Sequence, residues 1–161
     1  MRYKRVFLEN HSYFITIVTY KRIPILIDNI DILRDAFKRA KQKYKFKIEA
    51  IVILPDHLHM IITPKNPLDY PKIISHIKRS FVYGIVNSNN KIADILNRKI
   101  NLTSSQYKRK HSGIWQERFY EHTIRDEKDF YSKLEYIYKN PIKHNLIENP
   151  DYWKYSSFYK R

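Results

Sequence analysis

The 161-residue sequence has no cysteine. No disulfide or thiolate metal site can form, and any metal must be held by imidazole, carboxylate or amide groups. Glycine is nearly as scarce. Only Gly84 and Gly113 occur, which excludes the glycine-rich loops that cradle nucleotide phosphates, so no nucleotide cofactor is expected. No apolar run approaches the ~20 residues of a membrane-spanning helix, and the basic residues are scattered along the chain instead of gathered on one amphipathic helix, so no membrane association is expected. The opening MRYKRVFLEN carries neither the apolar core nor the cleavage site of a signal peptide, which points to a cytoplasmic protein. Acids are few as well: 16 Asp and Glu stand against 31 Lys and Arg, a formal net charge of +15. That excess is beyond what solubility requires and points to a polyanionic partner, nucleic acid first.

What is present suits one domain, since 161 residues with 43% hydrophobic content can bury one core but not comfortably two. YFITIVTY (Tyr13 to Tyr20) is β-branched and aromatic, a strand pattern. From Asp28 to Lys45, apolar Ile32, Leu33, Ala36, Phe37 and Ala40 recur at helical spacing, with Asp near the start and Lys at the end. FKIEAIVILP and HLHMIIT predict two strands joined tightly through Pro55 and Asp56. Leu68 to Val86 keeps Ile73, Ile74, Ile77, Phe81 and Ile85 in helical register. Residues 87–112 are rich in Asn, Ser and Lys and predict an inserted loop. Ile114 to Arg125 resumes as a strand, and Asp126 to Asn140 predicts a helix with acids in its first turn, stopped by Pro141. An irregular aromatic and basic tail, 142–161, follows. Without the insertion the order is strand, helix, strand, strand, helix, strand. This is an α+β chain of the ferredoxin-like, split βαβ kind, an antiparallel sheet with helices on one face.

His57 and His59 interrupt the apolar stretch ILPDHLHMIITP. In a strand, positions i and i+2 share a face roughly 6.5–7 Å apart, close enough for two imidazoles to meet one cation, while Leu58 and Met60 take the other face. Satisfied core histidines are the alternative reading. On the third helix, at about 100° per residue, Phe130, Leu134, Ile137 and Tyr138 form a core stripe. Tyr136 lies off it, in a second stripe with Asp129, Lys133 and Asn140; Tyr136 and Asn140 are i, i+4 neighbours. Tyr138 is thus the packing tyrosine and Tyr136 the one free for chemistry.

His57-Leu58-His59 matches the histidine-hydrophobic-histidine (HUH) motif, and YIYKNPIKHNLI from Tyr136 resembles the tyrosine-bearing helix end of single-tyrosine (Y1) transposases, particularly the REP-associated tyrosine transposases. YFITIVTYKRIPIL, IWQERFYEHTIRDEKDF and PDYWKYSSF resemble further blocks of that family in the same order, so the resemblance spans nearly the whole chain. It implies an endonuclease and transposase that cleaves and rejoins single-stranded, hairpin-containing DNA, acting in DNA transposition and recombination through a 5′-phosphotyrosine intermediate. It also implies a divalent cation, Mg²⁺ or Mn²⁺, with His57 and His59 as ligands and Tyr136 as nucleophile. Asn140 stands where insertion-sequence relatives have a Gln ligand. A free phenol, with a pKa near ~10, is a poor nucleophile at neutral pH and needs such a cation beside the phosphate.

The chain departs from the family pattern at Asp56, where Asn is customary and the change adds a carboxylate beside the motif; at Tyr138, where His is common; and in the length of 87–112. Lys78, Arg79, Lys108, Arg109, Lys110, Arg118 and Lys143 are the expected phosphate contacts, with exposed aromatics as stacking platforms. The tail is expected to lie on the body and help grip a hairpin, with Trp115 and Trp153 structural. Two other classes stay open: a DNA-hairpin-binding module without catalysis, and a metal-dependent nuclease acting through water. The protein is expected as a monomer or a homodimer.

Overall fold

The computed structural model describes residues 5–88, 102–105 and 113–161. In these, β1 (Tyr13–Val18), α1 (Ile30–Lys43), β2 (Phe46–Ile53), β3 (His57–Pro64), α2 (Tyr70–Val86), β4 (Tyr120–Thr123) and α3 (Glu127–Lys143) follow in order, with 3-10 turns at Tyr20–Arg22, Pro67–Asp69 and Pro150–Tyr152. The sheet order is β2-β3-β1-β4, and every neighbouring pair is antiparallel. This is the ferredoxin-like arrangement expected from the element order. Much of the expected insertion, 87–112, lies outside the described residues.

Strand alternation builds two apolar layers. Tyr13, Ile15 and Ile17 of β1 and Leu58, Met60 and Ile62 of β3 pack with Leu33, Ala36, Ile73, Ile74, Ile77 and Phe81 from α1 and α2. Phe14, Val52 and Ile61 turn the other way and meet Phe130, Leu134 and Ile137 of α3. A register shift between Ile48 and Ala50 lets β2 serve both layers: Phe46 and Ile48 face α1 and α2, whereas Ala50 and Val52 face α3. The expectation of helices on one face therefore holds for α1 and α2 only. α3 covers the opposite face, because Phe14, Val52 and Ile61 make that face apolar as well and it has to be buried.

Two boundaries differ from the sequence pattern. Of the strand expected over Ile114 to Arg125, only Tyr120–Thr123 pairs with β1; before it, Trp115 touches the end of β1 through a single bridge at Thr19 and packs on Phe81. Nor does Pro141 stop α3. The helix runs on to Lys143 because proline removes only one amide near its end, and the true stop is Asn145, at φ 55°. There Leu146 N–H donates to the Pro141 carbonyl and Asn145 N–H to that of Ile142, both at 2.9 Å, which closes a Schellman cap.

The tail lies on the body, as expected. Ile53 N–H donates to Tyr155 O at 2.8 Å and Ser157 N–H to Ile51 O at 2.9 Å, so the chain end covers the free edge of β2. Trp153 donates its indole N–H to Ile53 O at 2.9 Å, and Trp115 donates its own to Lys78 O at 3.2 Å, so both are structural.

Gly84 sets how closely α1 and α2 approach. A Cβ there would lie 2.4 Å from Ile32 Cγ2, a β-branched methyl that cannot swing away. Gly84→Ala gains about 1 kcal/mol of helix propensity but overpacks at a cost of about 1–3 kcal/mol. A net loss of about 1 kcal/mol, read as a lower melting temperature, is the expected outcome.

Candidate active site

β3 presents His57 and His59 on the α3 side, and each ring is oriented by a neighbour. His59 Nδ1 lies 2.7 Å from Thr16 Oγ1 on the adjacent strand, and His57 Nδ1 lies 2.6 Å from Asp56 Oδ1. The Asp56 carboxylate therefore grips the back of the first histidine. Partners on Nδ1 leave Nε2 as the other nitrogen of each ring, the usual way a protein fixes ligating imidazoles. His59 Nε2 is buried and has no hydrogen-bond partner. The two rings stand 4.9 Å apart, centre to centre.

α3 brings the phenol. The Tyr136 ring meets His59 edge-on at 5.1 Å and Phe14 at 5.7 Å. Lys143, two residues beyond Pro141 and seven beyond Tyr136 on the same helix face, donates its Nζ to the Tyr136 hydroxyl at 3.3 Å. His144 also arrives by the continuation of α3, its ring 4.9 Å from that of His57. These groups, with Arg22, Lys133 and Tyr120, line a cleft of about 420 Å³. Tyr138, as the helical wheel indicated, turns away, donating to Asp151 Oδ1 at 2.7 Å and packing on Phe158.

Asn140 is 1% exposed, and both polar atoms of its side chain are buried without a partner. Such an arrangement costs about 1–3 kcal/mol per group and marks a place where a partner belongs. Asn140 lines a second hollow with Lys133, Tyr136 and Lys143. Among the described residues no three His, Cys, Asp or Glu side chains converge on a metal position. The two imidazoles line the cleft together, whereas Asn140 lines the adjoining hollow; the unpartnered His59 Nε2 and Asn140 side-chain atoms are of the nitrogen and oxygen types that would suit a divalent cation.

Burial first, then the nearby His57 and His144, push the His59 pKa down to about 3, so the ring is neutral. Unfolded, it titrates near 6.5. Between those values the unfolded chain binds the extra proton, so this contribution to stability is complete above about pH 6.5 and is lost as pH falls toward 3, at up to about 1.4 kcal/mol per pH unit. Denaturant melts between about pH 7 and about pH 4 should show a shallower slope for His59→Gln than for wild type; equal slopes would refute it.

The expected phosphate contacts are scattered. Lys143 is in the cleft. Arg118 is exposed, ahead of β4, and Arg79 is exposed on α2, across the sheet from the histidines. Lys78 is engaged by its own protein: its ammonium donates to Gln116 O at 2.8 Å and Glu117 O at 3.3 Å, and burial lowers its pKa to about 8. It ties the approach to β4 onto α2. Lys108, Arg109 and Lys110 lie outside the described residues. Sequence reasoning missed Thr16, Arg22 and His144. His144 follows Tyr136 by eight positions, a helical spacing that was legible had Pro141 not been read as a stop.

The family model described as "Transposase IS200 like" matches residues 7–140. A Haemophilus influenzae protein named as a REP-associated tyrosine transposase is 39% identical over 98% of this chain and 85% of its own. The REP-associated tyrosine transposase of Escherichia coli is 29% identical over 98% and 82%. The solved structure of a REP-associated tyrosine transposase bound to a REP hairpin superimposes with a TM-score of 0.76 at 29% identity, covering 98% of this chain and 82% of that one. The chain belongs to the IS200-like, single-tyrosine transposases, enzymes that act on single-stranded DNA. Among the described residues no helix is long and apolar enough to cross a membrane.

Proposed function

We propose that this protein cleaves and rejoins single-stranded DNA next to a hairpin, with Tyr136 as the nucleophile and His57, His59 and Asn140 as the holders of Mg²⁺ or Mn²⁺. The observation that carries the reading is the Tyr136 ring 5.1 Å from that of His59, whose Nε2 is buried and unpartnered. Bound there, the cation would supply charge against a non-bridging phosphate oxygen.

The chain's own groups do the rest. Phe14 and His59 hold the phenol ring in place, and Lys143 hydrogen-bonds its hydroxyl, so the oxygen is oriented before substrate arrives. In-line attack joins that oxygen to phosphorus and releases the 3′-oxygen, which takes the phenolic proton. The products are a 5′-phosphotyrosine link and a free 3′-hydroxyl. One phosphodiester replaces another, so the reversal needs no external energy source. Lys133 and Lys143 at the cleft, with the surplus charge of +15, favour the DNA backbone. The REP hairpin carried by the related structure supports a hairpin as the recognised shape.

The test is covalent trapping. Labelled single-stranded hairpin DNA is incubated with protein and Mn²⁺, denatured, and the adduct mapped by peptide mass. An adduct on Tyr136 is expected. Cleavage without an adduct means hydrolysis through water, and binding without cleavage means a recognition module; either overturns the proposal.

A further inference from the structure

Arg22 sits at the cleft in a conformation that a sequence reader would not assign to it. Lys21 and Arg22 both have positive φ, 54° and 56°, so two consecutive side-chain-bearing residues occupy the left-handed region, which is unfavourable for each. Strain of this kind persists where the surroundings over-determine it, and it clusters at functional sites. The surroundings here are explicit. Buried Thr19 donates its amide to Asp56 O at 2.9 Å and its hydroxyl to Ile23 O at 2.9 Å and Asp56 O at 3.0 Å. Leu26 N–H donates to Pro55 O at 3.0 Å. The turn after β1 is thereby stapled to the turn that launches β3 and its histidines.

The staple aims the guanidinium at the motif. Arg22 Nη1 lies 3.6 Å from Asp56 Oδ2 and 3.5 Å from His57 Nδ1, while the side chain remains 58% exposed. Asp56 therefore contacts both the first histidine and the arginine. One edge of the guanidinium is steadied, and the planar fork retains donors for a ligand in the cleft. Lys143 is already turned to the Tyr136 hydroxyl, and Lys133 stands over Phe14.

We propose that Arg22 is a further catalytic residue of strand cleavage, donating to a non-bridging oxygen of the scissile phosphate as Tyr136 attacks. Arg22 transfers no proton; it offsets the charge that builds on the phosphoryl oxygens while the bond to Tyr136 forms and the bond to the 3′-oxygen breaks. This rests on the tyrosine reading above.

The test uses the full chain with hairpin oligonucleotides carrying either an ordinary phosphate or an uncharged methylphosphonate at the cleavage position. Arg22→Ala and Arg22→Gly are compared with wild type; the glycine variant accepts positive φ and so keeps the turn. On phosphate, both variants are expected to form adduct at least ~100-fold more slowly, with hairpin affinity within about threefold of wild type. On methylphosphonate, where the charge to be met is gone, the deficit should shrink at least tenfold. Adduct formation at the wild-type rate on phosphate, or an equal deficit on both substrates in the folded glycine variant, overturns the role of Arg22 and leaves Tyr136 standing. A wild-type protein that forms no adduct on either substrate overturns both.

Discussion

Tyr136→Phe is expected to eliminate the covalent protein-DNA adduct and to lower strand cleavage by at least ~10⁴-fold, the scale on which loss of a nucleophile is felt. Hairpin affinity should stay within about threefold of wild type. The substitution is clean because the ring's neighbours are edge contacts from Phe14 and His59, which phenylalanine keeps. The hydroxyl's partner is Lys143, an exposed side chain at 3.3 Å, so stability should change by less than about 0.5 kcal/mol. Tyr138→Phe is the control, since that hydroxyl is committed to Asp151 on the far side of the helix. It should retain the adduct. Persistence of the adduct in Tyr136→Phe, seen on a denaturing gel, would identify another nucleophile.

His59→Ala should be nearly as damaging. Thr16 orients the ring, burial keeps it neutral, and its unpartnered Nε2 is the donor with the fewest alternatives. If the proposed pair of imidazoles holds the cation, loss of one would weaken that hold, and losing several kcal/mol of charge stabilisation corresponds to a cleavage rate down by ~10³-fold or more. Titrating Mn²⁺ against cleavage rate, together with Mn²⁺ binding by calorimetry, checks this. The variant should need far more metal and fail to reach the wild-type rate at saturation. Full cleavage by wild-type protein in the presence of a strong chelator would contradict it outright.

Much of this site was legible before any coordinates. Period-2 alternation put His57 and His59 on one face and Leu58 and Met60 on the other, as the two apolar layers bear out. The helical wheel separated Tyr136, in the cleft, from Tyr138, which packs on Phe158. The readings that failed depended on context. A proline near a helix end looks like a stop, but whether the chain can turn there depends on the residue that accepts positive φ, and that is Asn145. A lysine on a helix surface looks free until carbonyls from a distant segment reach it, as Gln116 and Glu117 reach Lys78.

The sequence by itself determined the elements and the faces of each, because hydrophobic periodicity is local and every strand or helix must bury its apolar side. Only the tertiary structure decided which side of the sheet each helix takes. An apolar stripe states that a helix will be covered, not by what, and α3 meets the histidines because Phe14, Val52 and Ile61 make the second face of the sheet equally in need of cover. The same holds for Arg22, whose contacts with Asp56 and His57 come from two turns far apart in the chain and held together by buried hydrogen bonds, a proximity that no local pattern encodes.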